Sequence, residues 1–400
     1  MSDILFLAHR VPYPPDRGDK IRGFNVLKFL AARKRVHLVA FADDRRDMGS
    51  DSGLTDHTSI IWRGKSRAVA ALQAMLTNRP VSLAAFDDDA VRAAVSTVLT
   101  THDIDTIYVF SSQMAQYVPT DTTARVVMDF VDMDSAKFAG YGRTQAGPMG
   151  WLMRREGRLL GTYEAKVAAR ADASLFVSDA EAALFRDQTG AERVFAIENG
   201  IDTDTFDPDA SFVPIDLPPR TIVFTGQMDY RPNVEAVTWF ADEILPLVRK
   251  SYPDAGFAIV GRAPTDAVKA LGKRPGILVT GEVTDVRGWL AAAAAIVAPL
   301  KLARGVQNKV LEAMAMARPI VASAPAAEGI DHADTIAVGE TAEEIATQII
   351  AILSDPDAAR VRGMAARRQV MQRYGWDARL SPLTALLAQA IGPRAHRDAA

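Results

Sequence analysis

The chain reads as an α/β protein of two doubly wound domains, and three observations predict it. Short apolar runs of strand length alternate with helical patterns along the whole sequence, the mark of parallel sheets covered by helices on both faces. That alternation breaks in a proline-rich stretch near the middle and then restarts. In the second half, three apolar runs end directly on glycine, giving a bare-backbone rim at the carboxyl ends of the strands, where open α/β sheets bind ligands.

The first run, Ile4 to Ala8, leads into a loop containing Gly18 and then a helix over Ile21 to Leu30. Strands follow at Val36 to Phe41, Thr106 to Phe110, Arg125 to Val131, Ser174 to Val177 and Val194 to Ile197. The break is DPDASFVPIDLPPR, residues 207–220, whose four prolines and several acids interrupt any period. The pattern restarts with strands at Thr221 to Gly226, Phe257 to Gly261, Ile277 to Gly281, Ala294 to Leu300 and Pro319 to Ser323. A closing helix over Asp377 to Ile391 is expected to return to the first domain. The expected division is therefore a first domain at 1–206, a linker at 207–220, a second domain at 221–375, and the closing helix and tail at 376–400.

Composition narrows the function. The 400 residues are 48% hydrophobic and 24% charged, enough for two ordinary cores. A net charge of −3 supplies no basic field for nucleic acid, which is not expected as a partner. Cysteine is absent, so disulfides, thiol nucleophiles and thiolate metal sites are excluded. The opening apolar run is too short for a signal-peptide core, so a cytoplasmic protein is expected.

The stretch Arg304 to Ser323 carries the most chemical information. It reads as a phosphate-binding helix entrance: Gly305 lets the backbone approach a ligand, while the first amides, from Gly305 through Val306 and Gln307 to Asn308, face an anion together with the helix dipole. Glu312, two turns on, is suited to accept two hydrogen bonds from a ribose diol. The competing reading is an ordinary β-α-β unit with Glu312 on a solvated face. Gly226 ends a strand, and Arg231, in a loop closed by Pro232, either clamps a diphosphate or is a surface arginine. Gly18 either brings first-domain amides onto the same diphosphate or is a plain turn glycine. The backbone from Gly281 to Val283 suits the edge of a base.

In order and spacing these pieces resemble GT-B glycosyltransferases of the family 4 type. The matching residues are Pro14 to Lys20, Phe176-Val177-Ser178 with Glu181, Asn199-Gly200-Ile201-Asp202 with Phe206, Phe224-Thr225-Gly226 with Arg231-Pro232-Asn233, Gly281, and Leu311-Glu312-Ala313-Met314-Ala315. The stretches Gly226 to Phe240 and Arg304 to Pro319 are most similar to sugar transferases encoded with bacterial exopolysaccharide and exosortase systems. The resemblance implies two Rossmann-like domains facing a cleft and a retaining transfer of sugar from a nucleoside diphosphate to a glycan or lipid-linked acceptor. It also implies that no metal or other cofactor is required, and that the leaving phosphate helps remove the acceptor proton. Arg231 and the amides at 305–308 would then hold the departing diphosphate, Glu312 the ribose, and Asp132 or Asp134 would orient the sugar or acceptor hydroxyl.

Two departures from the family pattern bear on mechanism. Of its two glutamates separated by seven residues, Glu312 fits the second, while Arg304 stands at the first and would meet donor phosphate or an acidic sugar. The family also often places a histidine in the first domain near the transferred sugar, and none lies between His102 and His332. The nearest substitute is the loop Met128 to Phe138, with Asp129, Asp132, Asp134 and Lys137.

Rival readings remain open. Asp132-Met133-Asp134 has the form by which single-domain GT-A enzymes hold a divalent metal, although the same short pattern recurs at 103–105 and 202–204. A GT-B-fold nucleotide-sugar epimerase would share the diphosphate site, and a catalytically silent glycan- or nucleotide-binding protein is suggested by Arg304. Finally, residues Trp151 to Arg170, with Leu152, Leu159, Tyr163 and Val167 on one side and Arg154, Arg155, Arg158, Lys166 and Arg170 as cations, suggest contact with the anionic inner face of the plasma membrane. An ordinary helix with one face on its sheet is the alternative.

Overall fold

The computed structural model describes residues 2–15, 18–303 and 306–388. The chain divides into two compact units, one running to Asn199 and rejoined by the chain from Arg379, the other Gly200–Ala378. The division falls at Asn199 and Gly200 rather than across 207–220. Although it holds no helix or strand, that stretch is packed onto the second unit. Phe206, Phe212 and Leu217 lie against its core, and a Cβ added to Gly288 would stand 2.2 Å from the Val213 carbonyl oxygen. The closing helix Trp376–Ala388 starts in the second unit and joins the first from Arg379, where Arg125 donates to the Leu386 carbonyl at 2.9 Å.

The first unit is a seven-stranded parallel sheet in the order β3-β2-β1-β4-β5-β6-β7. Its strands are β1 Asp3–Ala8, β2 Val36–Ala42, β3 His57–Trp62, β4 Ile104–Phe110, β5 Arg125–Val131, β6 Ala173–Phe176 and β7 Val194–Ala196. The second unit repeats the plan with six parallel strands in the order β10-β9-β8-β11-β12-β13. These are β8 Thr221–Thr225, β9 Gly256–Val260, β10 Ile277–Gly281, β11 Ala295–Ala298, β12 Ile320–Ser323 and β13 Ala337–Gly339. Both orders reverse direction once, between β1 and β4 and between β8 and β11, which opens a crevice at the carboxyl ends of those strands.

Burial explains why most strands read as unbroken apolar runs. Central strands β1, β2, β8, β9, β11 and β12 are buried at every residue, because helices cover both sheet faces. One core gathers Phe41, Phe130, Phe176 and Phe185 in the first unit. Another gathers Phe224, Phe240, Phe257 and Met314 in the second.

Candidate donor site

In the second unit the three glycine-ended strands β8, β9 and β10 are neighbours, so their turns lie side by side. Gly226 N–H donates to Val260 O at 3.0 Å and Gly261 N–H to Gly281 O at 3.2 Å. The approach is too close for any side chain. A Cβ at Gly261, whose φ is +152°, would lie 1.7 Å from the Gly226 carbonyl oxygen. One at Gly226 would lie 2.8 Å from Asn233 Nδ2 and 3.2 Å from Lys309 Nζ. These two glycines therefore bring backbone to the rim of a cavity of about 510 Å³, whose lining includes Gly226, Asn233, Val283, Asn308, Lys309 and Glu312.

The opposite wall is the helix Asn308–Ala315, which follows β11 across the switch point. Its amphipathic pattern buries Val310, Leu311 and Met314 against the sheet. The Gln307 side chain does not cap it, and its dipole presents a positive end to the cavity. Lys309 Nζ donates to Asn233 Oδ1 at 2.6 Å and stands 4.1 Å from the centre of the Phe224 ring. Asn233 in turn donates from Nδ2 to the Gln227 carbonyl at 2.9 Å, which fixes its amide. Burial pushes the Lys309 ammonium down to about 8, opposed by Glu312. Burial also pushes the Glu312 carboxyl up to about 6, opposed by Lys309. The cavity thus offers a helix N-terminus and a desolvated cation near a carboxylate, a positive end suited to a diphosphate beside an acceptor for hydroxyls.

Of the residues expected from sequence, Gly226, Val283, Val306, Gln307, Asn308 and Glu312 line this cavity. Arg304 and Gly305 lie outside the described residues. Gly281 sits at the end of β10 with φ +71° and is not part of the lining. Arg231 is not in the lining either: it begins the helix Arg231–Trp239, its side chain is 89% exposed, and it pairs with Glu235 one turn on at 2.7 Å. The helix begins at Arg231, so Asn233 rather than Arg231 turns inward. Lys309, Gln227 and Arg262 were not singled out from the sequence, and Asn233 entered only as part of the family match, with no role given to it. A signal for Lys309 existed, since it lies three residues before Glu312 and therefore on the same helix face.

Gly18 opens the helix Gly18–Ala31 in the first unit. The loop after β5 in that unit bends through Val131, at φ +70°, and leaves Asp132 exposed. Asp134 starts the helix Asp134–Thr144, and burial raises its carboxyl, with Lys137 opposing and Asp132 reinforcing. Glu181 accepts from the Met133 amide at 3.2 Å, and Glu164, bonded to Ser135, is pushed by burial up to about 7. Asp129 is not available to substrate. It is fully buried, pairing with Arg22 at 3.0 Å and accepting from the Tyr108 hydroxyl at 2.7 Å. A histidine lies just past the carboxyl end of β1: His9 stacks on Phe110 at 5.7 Å, its Nε2 lies 3.4 Å from Asp19, and its Nδ1 is buried without a hydrogen-bond partner among the described residues.

Metal-ligand chemistry gathers elsewhere. Among the described residues, Asp3, His37 and His102 form the one cluster of three potential ligands, at the amino ends of β1 and β2. There His37 and Arg35 already satisfy Asp3 at 2.8 and 2.9 Å.

Residues 219–355 match the family described as Glycosyl transferases group 1. No curated protein matches the chain. Among solved structures, Anabaena HepE in complex with UDP and glucose is similar at TM-score 0.57 and 15% identity, over 98% of this chain and 100% of that one. Sucrose-phosphate synthase from Thermosynechococcus elongatus is similar at TM-score 0.59 and 18% identity, over 96% and 98%. An S. aureus TarM variant in complex with fondaparinux, α-GlcNAc-glycerol and UDP is similar at TM-score 0.57 and 12% identity, over 97% and 100%.

Proposed function

We propose that this chain is a glycosyltransferase that binds its nucleoside-diphosphate donor in the cavity between Gly226 and the helix Asn308–Ala315, a reading supported by the match of residues 219–355 to the glycosyl transferases group 1 and by a fold of two parallel-sheet, Rossmann-like domains like that of Anabaena HepE. The observation that carries this reading is Lys309, a desolvated cation held by Asn233 at the entrance of an uncapped helix and three residues from Glu312. The diphosphate lies against the amides of 306–308 and Lys309, the ribose diol on Glu312, and the base towards Val283. Departure of the diphosphate is stabilised by these preorganised donors, whose charge complements the charge that develops on it. The UDP bound by Anabaena HepE and by TarM supports a uridine nucleotide as the first donor to try.

Transfer proceeds with retention and without a metal, and the acceptor is a glycan or lipid-linked saccharide of bacterial exopolysaccharide synthesis. Asp132 and Asp134, with His9 at the same sheet edge, orient the hydroxyls that the first unit handles. The enzyme works in the cytoplasm, at the inner face of the membrane where such acceptors reside. The test is a panel of nucleoside diphosphates and their sugars, read by thermal stabilisation and calorimetry on the native chain and on Glu312→Gln. One sugar nucleotide should stabilise strongly, and the variant should bind it about 1 to 3 kcal/mol more weakly. Unchanged binding by a folded Glu312→Gln removes the ribose assignment. Conversion of the sugar nucleotide without any acceptor turns the reading to an epimerase.

A further inference from the structure

The second unit carries another cavity, of about 780 Å³, at the carboxyl ends of β11, β12 and β13. Its inner wall is apolar, with Trp239, Leu300 and Ala327 all buried. Ser323 is buried there too, but its hydroxyl is spent on the Leu300 carbonyl at 2.7 Å. The charged groups stand at the mouth. Lys301 lies over the Trp239 ring at 4.8 Å, while Glu328 and Glu340 are exposed and neither carboxylate has a bonding partner among the described residues.

The turn that brings His332 into this lining is strained and pinned. Ala333 and Asp334, next in the chain, both take left-handed backbone, at φ +45° and +56°, which residues with a Cβ rarely adopt. Asp331 on one side is held by Arg373 at 2.7 Å and Gln369 at 2.8 Å, and on the other side the Thr335 amide donates to the His332 carbonyl at 2.9 Å. His332 is thereby fixed in the lining, with Nδ1 buried and without a hydrogen-bond partner among the described residues. Strained turns held in this way cluster at ligand-binding sites.

Position and chemistry select the ligand. In the strand order β10-β9-β8-β11-β12-β13, the base of the proposed donor lies towards β10 and its diphosphate at the helix after β11, so its sugar end faces the β12 side, where this cavity opens. The turn after β12 adjoins the donor cavity, since a Cβ at Gly329 would stand 4.0 Å from Val306 Cγ2. Two unpaired carboxylates at the mouth disfavour a phosphate or a second nucleotide. An apolar wall ringed by carboxylate acceptors and an ammonium donor suits a neutral saccharide, whose ring faces are apolar and whose hydroxyls both donate and accept. We infer that this cavity is a saccharide site of the second unit, which holds the glycan chain beside the sugar of the donor. The saccharide class rests on the reading of this chain as a glycosyltransferase, but the test reads binding without turnover.

The experiment measures binding of maltotriose, cellotriose, chitotriose and mannotriose to the full chain by saturation-transfer NMR and calorimetry, with and without the nucleoside diphosphate that stabilises it. At least one trisaccharide should bind, and saturating nucleotide should not displace it. Glu328→Gln with Glu340→Gln, both at exposed side chains, should weaken it about fivefold or more while leaving the melting temperature and nucleotide affinity unchanged. Val338→Trp, which fills the cavity from β13, should abolish it, with nucleotide affinity as the check on folding. Absence of binding by all four at about 10 mM overturns the inference. So does displacement by nucleotide, which would put the saccharide in the donor cavity, or binding indifferent to these substitutions. Trisaccharide binding that these substitutions weaken, in a chain that takes no nucleoside diphosphate, would uphold this site and sink the donor reading instead.

Discussion

Lys309 Nζ donates to Asn233 Oδ1 at 2.6 Å, joining the helix after β11 to the helix after β8 across the cavity. The bond holds the ammonium beside Gly226, where a Cβ would reach it at 3.2 Å. Lys309 rather than Arg231 is thus the cation that lines the cavity, while the Arg231 guanidinium is occupied by Glu235 outside it.

Replacing Lys309 with methionine keeps the length of the chain and removes its charge. Affinity for a nucleoside diphosphate should fall by about 1.5 to 3 kcal/mol, the value of a hydrogen bond to a charged group, while the weak binding of the bare nucleoside should not change. Calorimetry with both ligands checks this. An equal loss for both would mean that Lys309 only shapes the cavity.

The same pair makes donor binding depend on pH in a defined way. Glu312 gains its full capacity to accept hydroxyl protons only as pH rises through about 6, and Lys309 loses its charge as pH rises through about 8. Nucleotide affinity should therefore peak between these values and fall by up to tenfold per pH unit on either side. Lys309→Arg should erase the alkaline limb, because guanidinium stays charged, and Glu312→Gln the acid limb. For stability the signs are opposite. Burial raises the Glu312 pKa, so its contribution is present below its unfolded value and lost as pH rises through about 6. Burial lowers the Lys309 pKa, so its contribution is present above its unfolded value and lost as pH falls through about 8. The empty site should thus be least favourable to the fold at the pH where it binds best.

In the first unit, Arg22 and Asp129 are fully buried partners, with Nε–Oδ2 at 3.0 Å and Tyr108 completing the carboxylate's bonds. Burial opposes the Arg22 charge, but Asp129 beside it holds its pKa above the ordinary value. Asp129→Ala should cost about 3 to 5 kcal/mol in chemical denaturation, because it strands a charge in the core. Tyr108→Phe should cost about 1.5 to 3 kcal/mol. A change below 1 kcal/mol for Asp129→Ala would show that water reaches Arg22.

If Lys309 and the helix amides neutralise the leaving diphosphate, turnover should survive EDTA. Activity assays with chelator and with added magnesium or manganese check this. Loss with chelator and rescue by metal would favour Asp132 and Asp134 as metal ligands.

The sequence by itself determined the class of fold and the glycine-ended strands that rim the cavity of the second unit. Buried parallel strands must be apolar throughout, so β8, β9, β11 and β12 stand out as runs, and glycines must follow β8 and β9 because Gly226 and Gly261 meet backbone to backbone. Two of the four edge strands carry no such mark. β3 is half exposed and β13 is three residues long, and neither was legible. Which polar side chains enter the cavity was decided only by the tertiary structure. Starting the helix at Arg231 rotates the arginine outward and Asn233 inward, and Lys309 lines the cavity where Asn233 from a separate helix holds it over Phe224. The basic stretch at 151–170 shows the same limit, since Arg155 is bonded to carbonyl groups 76 and 81 residues away, and no local pattern can announce a partner at that distance.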